Sequence, residues 1–131
     1  MSIKLGVVMD PISTINPNKD STLAMLLEAQ RRGWQIHYME QGDLFMRDGH
    51  AFATVRDLAV HDDVDRWYEF NSTPQVMPLK DLDTILMRKD PPFDMEFVYT
   101  TFLLENAEAA GVLIINKPQS LRDANEKMFT S

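Results

Sequence analysis

Hydrophobic and polar positions in the first forty residues follow a strand, helix, strand pattern. Residues 3–9 are mostly apolar and stop at Asp10-Pro11, where proline removes the backbone donor that a continuing strand would need. Leucines recur at helical spacing across residues 20–32, which begin with residues that can cap a helix and are followed by Gly33. Residues 34–39 then alternate between apolar and polar. This pattern predicts two parallel strands joined by a right-handed helical crossover.

The next stretch, residues 44–70, has the composition of a β-hairpin. Asp48-Gly49 is a tight-turn signal between two candidate short strands, and an acidic turn, His61-Asp62-Asp63, follows them. We interpret this stretch as a hairpin excursion from the main sheet. Residues 72–74 and Pro78 predict a loop that leads back to it.

The second half of the chain repeats the alternation of strand and helix. Asp94 is a candidate N-cap for a helix from Met95 to about Ala110, Gly111 can close it, and a last helix is expected to open at Ser120. The order of elements predicts an α/β open sheet with helices on both faces. Its core strands are expected to be parallel and to lie at residues 3–9, 34–39, 83–88 and 112–116.

The helix predicted at residues 95–110 carries more apolar side chains than one face packed on a sheet would use. A second burial surface is therefore expected, either a homo-oligomer contact or docking against further domains. Of these, we expect a homo-oligomer.

Composition and charge argue against several kinds of binding partner. A chain of 131 residues with 44% hydrophobic and 25% charged residues can bury one sizeable core. It has no apolar run long enough to cross a bilayer, and its first residues do not resemble a secretory signal, so we expect a soluble, cytoplasmic protein without a membrane partner. A net charge of −7 disfavours nucleic acid. The absence of cysteine means that any thiol chemistry must come from a ligand.

Two loops are candidates for a binding site, because ligands of open α/β sheets bind at the carboxyl ends of the strands. One loop runs from Asp10 to Lys19, and the other runs from Arg88 to Asp94 and contains two consecutive prolines. A stiff loop of this kind presents Arg88 as a preorganised fork for a carboxylate or phosphate. The alternative is a surface arginine paired with Asp83, Asp90 or Asp94.

Other common chemistries lack their motifs. The five glycines form neither a dinucleotide-binding fingerprint nor a phosphate loop, and the three histidines have no metal-ligand spacing, so we expect no bound metal in this segment. Four methionines fit a role as core filling. They are Met9, Met25, Met39 and Met87. These patterns alone indicate a soluble α/β domain with an anion-binding loop.

Four blocks of sequence resemble prokaryotic glutathione synthetase, and they occur in that family's order. The blocks are Val7–Ile12, Lys19–Gly33, Leu86–Asp94 and Asn116–Lys127. The resemblance covers the whole chain and implies an ATP-grasp ligase. Residues 1–122 would form its Rossmann-like N-terminal, pre-ATP-grasp domain, and residues 123–131 would begin the ATP-grasp portion, which in full-length members continues well past Ser131.

The resemblance also implies a reaction. ATP would phosphorylate the cysteinyl carboxylate of γ-glutamylcysteine, and the amine of glycine would displace phosphate, with Mg²⁺ as the main counterion. Arg88 matches the family's substrate-contacting arginine, and Asp10 and Asp90 are further candidates for substrate binding. Lys127 matches a lysine that reaches the ATP phosphates. We expect no complete catalytic set within this segment, hence a half-site that does not turn over alone.

Two alternatives stay open. The first is another ATP-grasp peptide or amino-acid ligase that shares this first domain, and the residues that would decide it lie mostly beyond Ser131. The second is a non-catalytic regulatory module of flavodoxin-like topology, such as a phosphoacceptor receiver. A receiver would require paired acids after the first strand, whereas Asp10 is alone and is followed by Pro11.

Overall fold

The computed structural model describes residues 3–88 and 95–115 of the chain. The strands in these ranges are β1 (Lys4–Met9), β2 (Gln35–Met39), β3 (Leu44–Arg47), β4 (His50–Val60), β5 (Tyr68–Phe70), β6 (Gln75–Pro78), β7 (Thr84–Arg88) and β8 (Leu113–Ile115). The α-helices are α1 (Ser21–Arg31) and α2 (Met95–Ala109), and short 3-10 helices lie at Ile12–Thr14, Gln41–Asp43 and Leu79–Asp81.

The centre of the sheet is parallel, as the sequence predicts. β1 lies between β2 and β7 and runs parallel to both, and β8 pairs in parallel with the far side of β7. Val7 stands opposite Tyr38 on one side and Leu86 on the other. The four predicted core strands are confirmed to within about one residue at each end, a normal margin for strand boundaries.

The predicted hairpin has its turn at Asp48-Gly49, as expected, but its strands belong to the main sheet, which was not expected. Asp48 and Gly49 both have positive φ, 53° and 78°, as the tight turn between β3 and β4 requires. However, β4 is 11 residues long and pairs antiparallel with β2, β3, β5 and β6. This strand therefore extends the main sheet and is not an excursion from it.

The loop expected between residues 72 and 78 is also wrong in part. Gln75–Pro78 forms β6 and pairs with β4, with Pro78 opposite Phe52 at the end of the strand. Proline is compatible with a strand that pairs on one side only, because no ladder bond from its nitrogen is needed there.

Each face of the sheet is covered by one helix, which confirms the α/β, Rossmann-like class. The core on the α1 side includes Val7, Leu26 and Tyr38, and the core on the α2 side includes Val8, Ile85 and Leu103. All four methionines expected in the core are buried.

Local sequence explains where α1 begins and ends. The Asp20 carboxylate accepts hydrogen bonds from the backbone N–H groups of Thr22 and Leu23, so Asp20 is the N-cap. Gly33, with φ of 82°, turns the chain out of the helix. Hydrogen bonds from Arg88, the last residue of β7, to Ser21 and Thr22 place the N-terminus of α1 at the carboxyl ends of the central strands.

Neither described helix combines the length and the apolar character that crossing a bilayer demands. The N-cap predicted at Asp94 and the last helix predicted from Ser120 lie outside the described residues.

Candidate functional site

The two strands that precede the predicted site loops end at the same edge of the sheet. β1 and β7 are parallel neighbours, and Met9, the last residue of β1, stands opposite Arg88, the last residue of β7. Asp10 follows Met9 directly. The prediction that Asp10 and Arg88 share one edge of the sheet is therefore confirmed.

The side chain of Arg88 is held against the N-terminus of α1. Its Nε donates to Thr22 Oγ1 at 3.1 Å, and its Nη2 donates to Ser21 Oγ at 2.8 Å. Thr22 is 5% exposed, whereas Ser21 is exposed and Arg88 is half-buried. The two hydrogen bonds therefore orient the guanidinium at the edge of the sheet where β1 and β7 end.

The alternative pairing of Arg88 with Asp83 is wrong. Asp83 precedes β7 at the opposite end from Arg88, and its Oδ2 accepts a hydrogen bond from the backbone N–H of Lys4 at 2.8 Å. Among residues 3–88 and 95–115, no carboxylate forms an ion pair with Arg88. Asp90 and Asp94, the other two proposed partners, lie outside the described residues.

Two side chains fasten the loop after β1, and neither was predicted from the sequence. Ile12 donates its backbone N–H to the hydroxyl of Tyr38 at 3.1 Å, and its carbonyl oxygen accepts from Trp67 Nε1 at 3.0 Å. Because Ile12 is only 2% exposed, water cannot replace these partners. The start of the loop that carries Asp10 is therefore braced by β2 and by the segment before β5.

The hydroxyl of Tyr38 connects the backbone of Ile12 to the carboxylate of Glu40. This hydroxyl donates to Glu40 Oε2 at 2.6 Å. Burial, and then this hydrogen bond to Glu40, raise the pKa of Tyr38 well above its ordinary value, so the phenol stays protonated. Nearby, the guanidinium of Arg56 lies 4.1 Å from the ring centroid of Phe70. The aromatic run from Trp67 to Phe70 was the sequence signal that could have pointed to this cluster, whereas Arg56 lies outside it.

The described residues do not supply a metal site. Across residues 3–88 and 95–115, no group of three or more histidine or acidic side chains is placed to hold an ion. The magnesium ion that the resemblance implies therefore has no complete set of ligands among these described residues. Lys127 and Asp90 lie outside the described part of the chain.

Comparison with known proteins identifies the family. The model of the prokaryotic glutathione synthetase N-terminal domain matches residues 3–122. The chain belongs to this family. The glutathione synthetases of Yersinia pestis and Escherichia coli O127:H6 are 64% and 63% identical to it over 129 residues, or 98% of the chain. The glutathione synthetase of Vibrio vulnificus is 60% identical over all 131 residues.

The matched region includes every element that builds the candidate site. β1, α1 and β7 all lie within residues 3–122. The chain spans about 40% of the length of these relatives.

Proposed function

We propose that this chain is the substrate-binding, N-terminal part of a glutathione synthetase. The whole enzyme would ligate γ-glutamylcysteine to glycine and convert ATP to ADP and phosphate through an acyl phosphate. Support comes from the family match over residues 3–122 and from relatives at 60–64% identity that are named glutathione synthetase. Under this proposal residues 1–122 form the pre-ATP-grasp domain, and residues 123–131 begin the ATP-grasp portion.

The position of Arg88 is the observation that carries the proposal. It ends a central strand beside the loop of Asp10, and hydroxyl groups hold its guanidinium in place. A guanidinium can bind both oxygens of a carboxylate, and it can bind the oxygens of an acyl phosphate in the same way. Arg88 therefore suits an anionic group of the peptide substrate before and after phosphorylation.

Acidic side chains would complete the substrate site. A carboxylate at the edge where Arg88 ends would suit the ammonium group of a γ-glutamyl substrate, which is the role we propose for Asp10 and Asp90. ATP would supply the phosphoryl group, Mg²⁺ would balance its charge, and Lys127 would contact the phosphates. We propose that the rest of the ATP and magnesium site is contributed by the longer protein, so this chain alone would not turn over.

Substrate selectivity of the full-length protein tests the proposed reaction. Release of ADP should require γ-glutamylcysteine and glycine together, and glutathione should form in equal amounts. A panel of other dipeptides and amino acids serves as the control for a different ATP-grasp ligase. Faster turnover with another pair would refute the assignment, and the absence of any ligase activity would favour a regulatory module.

We also propose that the protein is a homo-oligomer that uses the outer face of α2. This face exposes Met95, Val98, Tyr99 and Phe102, of which Met95 is 79% and Phe102 is 63% exposed. None of the four is charged. In a chain of net charge −7, an uncharged apolar face can meet its own copy without bringing like charges together.

Light scattering tests the oligomer. Phe102→Glu should lower the mass of the assembly, whereas Val76→Glu, at a 54% exposed valine on β6, should leave it unchanged. A wild-type monomer would refute the proposal. The cytoplasmic location expected from the sequence stays a prediction.

A further inference from the structure

Ser21 and Thr22, the first two residues of α1, accept hydrogen bonds from Arg88 with their side-chain hydroxyl groups. They lie 67 and 66 positions before Arg88 in the chain. At this end of the helix, the backbone N–H groups of Thr22 and Leu23 have a different acceptor, the carboxylate of Asp20. The hydroxyl oxygens of Ser21 and Thr22 are therefore not used as helix caps. Within the described residues, Arg88 is the group to which both are bonded.

Neutral hydroxyl groups differ from carboxylates in what they do to an arginine. A carboxylate in their place would orient the guanidinium and also cancel most of its charge. A hydroxyl oxygen orients it and leaves the charge available. A serine or threonine hydroxyl that accepts from arginine also keeps its own proton, which it can donate. The cluster of Ser21, Thr22 and Arg88 therefore offers a ligand hydrogen-bond donors together with a positive charge, which suits an anion.

We infer that Ser21 and Thr22 are positioning residues for Arg88 and fix its guanidinium for an oxyanion of the peptide substrate. The inference rests on the proposed function, in which Arg88 binds that substrate. Thr22, which is buried, accepts from Nε and sets the plane of the guanidinium, and Ser21, which is exposed, accepts from Nη2.

The benefit of this arrangement is preorganisation. A free arginine side chain samples many rotamers, and ordering it at the moment of binding reduces affinity. Two hydrogen bonds made before the substrate arrives remove part of that cost. The exposed position of Ser21 also puts its hydroxyl proton within reach of the same anion.

The test uses the full-length enzyme, with γ-glutamylcysteine as the varied substrate. Thr22→Val keeps the shape of the side chain but removes the acceptor, Thr22→Ser keeps the acceptor, and Ser21→Ala removes the other hydroxyl. Thr101→Val is the matched control, because Thr101 is also a helical threonine but donates to the carbonyl oxygen of Val98. Thermal melts accompany all variants.

The expected result is a fall in kcat/KM of about 10- to 150-fold for Thr22→Val, the range for one lost hydrogen bond to a charged group. Thr22→Ser should restore the value to within about threefold, and Thr101→Val should change nothing. In an Arg88→Lys background, Thr22→Val should lower kcat/KM by less than about a further threefold. Both substitutions remove the same hydrogen-bonded arrangement of Arg88 and Thr22, so their effects should not add.

Three outcomes would overturn the inference. One is unchanged kcat/KM in Thr22→Val and Ser21→Ala when Arg88→Lys is impaired, which leaves the proposed function standing. Another is full additivity of Thr22→Val with Arg88→Lys, or failure of Thr22→Ser to restore activity, since Thr22 would then act through the stability of α1. The last is normal kcat/KM in Arg88→Lys itself, which removes the proposed substrate contact as well.

Discussion

The hydroxyl of Tyr38 should be a strong stabilising contact, because it bonds to the buried start of the loop after β1. Tyr38→Phe keeps the ring, which packs 5.1 Å from that of Phe70, and deletes only the oxygen. That oxygen is the acceptor for the buried N–H of Ile12 and the donor to Glu40. The substitution therefore leaves one buried backbone donor without a partner and removes one hydrogen bond to a carboxylate.

The size of the effect follows from the burial of Ile12. At 2% exposure its N–H cannot turn to water, and an unsatisfied buried donor costs about 1–3 kcal/mol. For a chain of this length, each kcal/mol lowers Tm by roughly 3–6 °C. We expect Tm to fall by about 3–18 °C and the urea midpoint to fall by about 1 M at an unchanged slope.

Tyr68→Phe is the matched control for this prediction. It also deletes one tyrosine hydroxyl and keeps the contacts of the ring with Trp67 and Phe70. Its hydroxyl makes no hydrogen bond within the described part of the chain, so its unfolding free energy should change by less than about 0.5 kcal/mol. Equal Tm values for Tyr38→Phe, Tyr68→Phe and the unaltered chain would refute the role assigned to the Ile12 contacts.

Three further predictions concern stability. Gly6→Ala should cost about 1–3 kcal/mol in a urea melt, since the new Cβ would lie 2.6 Å from a buried leucine, whereas Gly42→Ala, with 3.9 Å to the nearest atom, should be nearly neutral. Hydrogen bonding to Arg31 lowers the pKa of Glu28 from 4.5 to about 2. The contribution of this carboxylate to folding stability is therefore present above pH 4.5 and is lost as the pH falls towards 2. Glu28→Gln should remove this loss in acid unfolding curves. Burial lowers the pKa of His37 below 6.5, so stability should decrease as pH falls below about 6.5, and His37→Gln should flatten that decrease.

Local patterns were enough to predict the central strands and both helices. β1 and β7 are short apolar runs that are buried on both faces, and α1 has a capping aspartate and a terminal glycine. The pairing of β4 could not be predicted in this way. Its partners lie on four different strands, and the alternation along it shows only that it is a strand, not where it pairs.

The candidate site was also predictable only where local patterns determine it. Arg88 stands out because it ends an apolar strand, and the parallel order of β1 and β7 then brings it next to Asp10. Ser21 and Thr22 were expected only as the start of a helix. Their contact with Arg88 depends on how α1 packs on the sheet, and the bond from Trp67 to Ile12 spans 55 residues. Such contacts have no local sequence signal.

The central claim is that Arg88 binds an anionic group of the peptide substrate, and Arg88→Lys in the full-length enzyme tests it most directly. Lysine keeps the charge but cannot form two parallel hydrogen bonds. Steady-state kinetics with γ-glutamylcysteine should show kcat/KM reduced by about 30- to 1,000-fold, equivalent to roughly 2–4 kcal/mol of transition-state stabilisation. Thermal melts should show a folded enzyme whose stability falls by no more than about 1–3 kcal/mol, through the weakened hydrogen bonds to Ser21 and Thr22. Unchanged kcat/KM in a normally folded Arg88→Lys enzyme would contradict the claim.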